Sequence, residues 1–140
     1  MLTRLIYASE PDAALSLEAV QSILEHARAA NLRNNLTGML AFDANGFLQV
    51  LEGDRDVVSR VYGRIAQDTR HRRLVLLEVA AIDERQFGRW TMGFAPATVA
   101  RSELYLRFGV EPRFDPFRMT APAALALLSA LAAVAAASAT

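Results

Sequence analysis

At 140 residues, 53% of them hydrophobic and 21% charged, the chain has the size and composition of one globular domain rather than a disordered segment. Fifteen basic and fifteen acidic residues cancel, so no global field draws the protein to nucleic acid or to an anionic membrane. There is no cysteine and no lysine, which removes disulfides, thiolate nucleophiles, zinc–cysteine and iron–sulfur sites, Schiff-base lysines and the P-loop lysine.

Met1-Leu2-Thr3-Arg4 leads straight into an apolar, β-branched and aromatic run, so a first strand is predicted over residues 2–9 and no signal peptide ahead of it. Residues 10–15, with Pro11 and Asp12, read as a turn. Ser16 can then cap a helix whose Val20, Ile23, Leu24 and Ala27 recur at helical spacing, ending at Arg33-Asn34-Asn35. Residues 37–42 and 47–51 are two short strands around the hairpin signal Asp43-Ala44-Asn45-Gly46. Asp54 is placed to cap a second helix with the stripe Val57, Val58, Val61 and Ile65. Arg70 to Arg73 form a polar turn before a buried strand over residues 74–82, and a last strand is predicted over residues 90–95, closed by Pro96.

The order βαββαββ predicts an α+β, ferredoxin-like sandwich: a mixed sheet with two helices on one face and a C-terminal helical tail. Right-handed crossovers set the first and third strands side by side in its centre. We divide the chain into a domain over residues 1–97 and a helical extension over residues 98–140. In that extension residues 99–108 read as helix, and Pro122 lies in the first turn of a final one. Residues 121–140 carry no charge, yet more than half are Ala, and Leu127, Leu128, Leu131 and Val134 form a single stripe. That pattern fits a helix covering the bare sheet face or making a homodimer contact, not a membrane span.

His26 and His71 are the only histidines, and both read as surface residues without a nucleophile-elbow pattern. No HxxxH, HExxH or carboxylate ladder points to a metal, and no glycine-rich loop to a nucleotide cradle. Two polar residues on apolar strands are harder to place. Gln49 shares a strand face with Phe47 and Leu51, and its amide needs partners, because leaving it unpaired costs about 1–3 kcal/mol. Tyr7 on the predicted neighbouring strand can reach it, either as a pair that staples the core or as part of a binding site. Trp90 and Met92, alternating onto one face if residues 90–95 are a strand laid beside the first, would complete a phenol, amide, indole and thioether group suited to a flat heterocycle or to an ordinary core.

Five blocks in order carry a resemblance: Arg4-Leu5-Ile6-Tyr7-Ala8-Ser9, Asn31-Leu32-Arg33-Asn34-Asn35-Leu36-Thr37-Gly38-Met39-Leu40, Phe47-Leu48-Gln49-Val50-Leu51-Glu52-Gly53, Asp68-Thr69-Arg70-His71 and Phe87-Gly88-Arg89-Trp90-Thr91-Met92. Over about residues 2–96 the chain resembles BLUF domains, bacterial blue-light sensors that use FAD, and its length and helical tail resemble their short stand-alone members. The resemblance implies an isoalloxazine ring between the two helices, flanked by Ile23 and Ile65. Asn31 would bond its carbonyl and imide edge, and Gln49 would bridge it to Tyr7. Arg33, Arg70 and His71 are further candidates for the ring edge or the phosphate side. Where many members carry Asn or His beside the ring-binding Asn, this chain has Ala30, which removes one polar ring contact.

The implied chemistry is photochemical and not enzymatic. Tyr7 donates an electron and then a proton to the excited flavin, and recombination leaves Gln49 rotated, tautomerised or both. A red-shifted state follows and relaxes thermally, with Trp90 or Met92 exchanging contacts with Gln49. The expected output is an interaction with a downstream protein in the cytoplasm, with no nucleic-acid or membrane partner. The competing readings are a flavin-dependent small-molecule enzyme on the same scaffold and a binding module that has lost its cofactor.

Overall fold

The computed structural model describes residues 1–12, 16–96 and 101–138. Its elements are β1 (Leu2–Pro11), α1 (Leu17–Arg33), β2 (Thr37–Asp43), β3 (Gly46–Asp54), α2 (Arg55–Gln67), β4 (His71–Ala81), β5 (Gly93–Pro96), α3 (Ser102–Phe108), a 3₁₀ turn (Pro116–Arg118) and α4 (Ala121–Ser138). The strands form one sheet in the order β4-β1-β3-β2-β5. β1 and β3 are central and antiparallel, and only the β2–β5 pair is parallel. This is the ferredoxin-like α+β arrangement.

Local chemistry sets the element ends. Ser16 Oγ accepts from the Ala19 amide at 3.1 Å and caps α1. At its other end Asn35 takes a left-handed φ of 54°, and the Leu36 amide returns to the Asn31 carbonyl at 2.9 Å. That bond, with Leu36 buried behind it, is a Schellman closure using Asn in place of Gly. The hairpin turns tightly because Asp43 Oδ1 accepts from both the Asn45 and Gly46 amides. Asp54 stands at the N-cap of α2 but caps nothing with its side chain. Its carboxylate pairs with the Met1 ammonium at 3.2 Å instead.

Period-two alternation gives the sheet two different faces. Leu5 and Tyr7 of β1 and Phe47, Gln49 and Leu51 of β3 face α1 and α2, where Val20, Leu24 and Val58 cover them. Ile6, Met39, Ala41, Leu48 and Val50 face the other way, under Phe87, Tyr105, Phe114, Leu127, Leu128 and Leu131. α4 therefore packs on the sheet through three of its four stripe residues, while Val134 stays 38% exposed.

Three expectations are corrected. The strand from residue 74 is not buried: β4 starts at His71 and forms a sheet edge, where Leu74 and Leu77 are half-buried against the two cores while Val75, Leu76 and Val79 are exposed. The last strand does not begin at Trp90, because residues 87–90 form a turn in which the Trp90 amide bonds the Phe87 carbonyl at 2.9 Å. It also adds beside β2, not beside β1. The boundary drawn at 97/98 and the first residues of the helix expected over 99–108 lie outside the described residues.

Candidate functional site

Between α1, α2 and the sheet lies a cavity of about 340 Å³, within the size range of small-molecule sites. Ile23 of α1 and Ile65 of α2 wall it from opposite sides, with Leu24, Val61, Leu40 and Leu51 around them. Tyr7, Gln49, Asn31 and Met92 supply its inner polar and thioether groups, and His26, Ala27, Ala30, Phe47, Arg64, Asp68, Arg70 and His71 complete the lining.

Tyr7 and Gln49 are register partners on β1 and β3, so their side chains rise together on the helix face. The Tyr7 hydroxyl donates to Gln49 Oε1. Gln49 Nε2 then donates to Met92 Sδ at 3.4 Å, and the buried amide is engaged at both ends. Burial pushes the Tyr7 phenol far above its ordinary value, with smaller contributions from Tyr62 and Asp68, so at neutral pH it is a hydroxyl donor. The Tyr62 ring stands 5.8 Å away at 58°.

Helix α1 grips the segment before β5. Asn31 Nδ2 donates to the Thr91 carbonyl at 2.8 Å, and Arg28 Nε to the Met92 carbonyl at 2.9 Å. These bonds turn Met92 into the cavity. Trp90 does not join it; its ring packs on the opposite core, lying 3.1 Å from where a Cβ on Gly93 would stand. Arg33 is exposed in the last turn of α1 and also lies outside the cavity lining.

His71 is wedged between elements, not free at the surface. Its Nε2 reaches the Ile65 carbonyl at 2.6 Å and its Nδ1 the Ser9 hydroxyl at 2.9 Å. A carbonyl only accepts, so Nε2 carries the proton, and in the neutral ring Nδ1 accepts from Ser9. Both nitrogens are thereby used, and His71 serves the cavity as a wall. Arg70 is held by Asp68 through a two-pronged contact at 2.9 and 2.5 Å, and this bonding keeps the Asp68 carboxyl below its usual value.

Sequence reasoning passed over Arg28, Arg64, Asp68 and Glu52. Arg28 had a signal, since it lies three residues before Asn31 on one helix face. Glu52 had none, because the groups that meet it are far away in the chain.

The fold and cavity define a small α+β domain with a ligand-sized slot between two helices and a sheet. The family model described as sensors of blue-light using FAD matches residues 2–93, and the chain belongs to this BLUF family. It is 34% identical over 89 residues to the blue light- and temperature-regulated antirepressor BluF of Escherichia coli, covering 64% of this chain and 22% of that protein. To the photoactivated adenylate cyclase subunit alpha of Euglena gracilis it is 39% identical over 87 residues, covering 62% of this chain and 8% of that one. The chain thus spans under a quarter of the length of these curated relatives. Among solved structures it resembles BlsA in its photo-activated state, with a TM-score of 0.84 and 32% identity over 94% of both chains. It also resembles BlrB in its dark state, with a TM-score of 0.76 and 26% identity over 96% of both.

The residues present fit a flavin. The slot has apolar walls for a flat ring, hydrogen-bonding side chains at its inner end and arginines among its lining residues for an anionic tail. No group of three or more metal-ligating side chains occurs among the described residues, and no helix of theirs is long and apolar enough to cross a membrane.

Proposed function

We propose that this chain is a reversible blue-light receptor that holds FAD in the slot and signals through contact with another protein in the cytoplasm. The observation that carries the reading is the Tyr7–Gln49–Met92 relay, which runs from the inner end of the slot to the segment leading into β5. When bound, the flavin supplies the blue-light absorption and a reversible acceptor for an electron and a proton. Ile23 and Ile65 would clamp its ring, Asn31 would meet its polar edge, and Arg70 or Arg64 would face its phosphates.

Tyr7 is the donor on this chain. Loss of an electron makes its hydroxyl strongly acidic, and the proton already points along the bond to Gln49 Oε1. A Gln49 amide released from that hydroxyl can turn over or tautomerise before the electron and the proton return to Tyr7 and restore its hydroxyl. Turning brings its nitrogen toward Tyr7 and its oxygen toward Met92 Sδ, where two acceptors face one another. Met92 then loses its bond to Gln49, and one of the holds on the segment before β5 is released. The antirepressor role in the name of the Escherichia coli relative favours a protein partner over a reaction product as the output.

The test is the absorption spectrum of the FAD-loaded protein in the dark and under blue light. A red shift that relaxes in the dark is expected. Bleaching without a shift would turn the reading toward redox enzymology, and a colourless protein that refuses FAD would overturn it.

A further inference from the structure

Glu52, near the end of β3, is a wholly buried acid on the sheet face opposite Gln49. Its Oε1 accepts from the Thr37 hydroxyl at 2.9 Å and the Phe87 amide at 3.0 Å, and its Oε2 from the Gln86 amide at 2.7 Å. No cation lies within 4.0 Å of the carboxylate among the described residues. Arg85 instead ties the surroundings together, donating to the Thr37 hydroxyl, the Glu52 carbonyl and the Asn35 carbonyl at 2.8–3.0 Å. The segment between β4 and β5 has no helix or strand of its own, so these bonds decide where it lies. One strand holds it at two points: Glu52 at residues 86–87 on one face, and Gln49 at Met92 on the other.

We propose that Glu52 is a positioning residue whose carboxylate fixes residues 86–87 and thereby sets Met92 against Gln49. A carboxylate suits this role because it accepts from several converging donors without presenting a hydrogen of its own. A glutamine in its place would keep the oxygen for Thr37 and Phe87 but would turn an NH₂ group toward the Gln86 amide, donor against donor. Residue 86 would then lose its hold on β3, and the chain leading to Met92 would be less firmly fixed. The part of this inference that concerns the photocycle rests on the blue-light reading; the part that concerns Met92 does not.

The experiment compares the FAD-loaded full chain with Glu52→Gln, using methyl-labelled methionine, amide exchange and the thermal return from the red-shifted state. The Gln86 amide is expected to exchange at least about tenfold faster. The Met92 methyl resonance should move while those of Met1 and Met119 stay, and the return rate should change several-fold with FAD still bound. An unmoved Met92 resonance and an unchanged return rate, despite a freed Gln86 amide, would overturn the proposal and leave Glu52 a local anchor. If the wild-type protein shows no red shift, the blue-light reading fails and the Met92 resonance alone decides. Should Glu52→Gln not fold, Glu52→Asp keeps the charge but draws the carboxylate one methylene back from the Gln86 and Phe87 amides. It must also displace the Met92 resonance, and a resonance at its wild-type position would refute the inference.

Discussion

Tyr7 and Gln49 stand directly opposite each other on the two central strands, and the phenol donates its only hydrogen to the amide oxygen. That polarity orients the amide, because the same oxygen cannot also face Met92. Replacing Gln49 with Leu removes the acceptor and leaves a buried hydroxyl unpaired, at a cost of about 1–3 kcal/mol. The variant should still bind FAD and show no light-induced red shift. A full shift by absorption spectroscopy would remove Gln49 from the switch.

Met92 can be separated from its packing role by a volume-conserving change. Met92→Leu should cost less than about 1.5 kcal/mol by urea denaturation while removing the sulfur that Gln49 Nε2 meets. The red shift should survive and its thermal decay should change in rate. An unaltered decay would mean that the Gln49–Met92 contact does not tune the switch.

Alkaline pH offers a test of Tyr7 that needs no light. Its folded-state value is raised by burial above the ordinary 10.0. Its contribution to stability is therefore fully present below that ordinary value and is lost as pH rises toward the folded one. Through that window it falls by about 1.4 kcal/mol per pH unit. Tyr7→Phe lacks this loss, so its stability should decline less steeply with pH than that of the wild type in urea denaturation. Parallel curves would mean that Tyr7 ionises in the folded state as readily as in the unfolded one.

Within α4 the stripe residues are not equivalent. Leu127 is fully buried and Val134 is 38% exposed. Leu127→Ala should cost about 2–5 kcal/mol, and Val134→Ala no more than about 0.5 kcal/mol, by chemical denaturation. Equal costs would mean that α4 is buried on both sides, as in a dimer.

Features that depend on neighbours in the chain were readable from the residues. Ser16 and Asn35 mark the ends of α1 through their own side-chain and backbone preferences, and alternation alone put Phe47, Gln49 and Leu51 on one face with Tyr7 in reach. What was missed depends on groups distant in sequence. Trp90 was expected to alternate with Met92, but a turn bonded to the Phe87 carbonyl replaces the strand there and sends the indole to the other core. Asp54 has the right residue type for a cap, yet the Met1 ammonium, 53 residues away, takes its carboxylate. Alternation also sets Glu52 opposite Gln49, but nothing local reveals the two amides, 34 and 35 residues on, that converge on it.

The division of the sheet between two covering layers has a consequence for synthesis. A chain emerging N-terminus first has β1 to β5 and both helices of the slot outside the ribosome once residue 96 has cleared it. The face carrying Ile6, Leu48 and Val50 then stays wet until α4 follows. At ordinary elongation rates that interval is about 2–8 s, long beside the folding of a small sheet. The nascent chain thus passes through a stage with one core closed and an apolar sheet bare, the form in which chaperone capture or aggregation competes with completion.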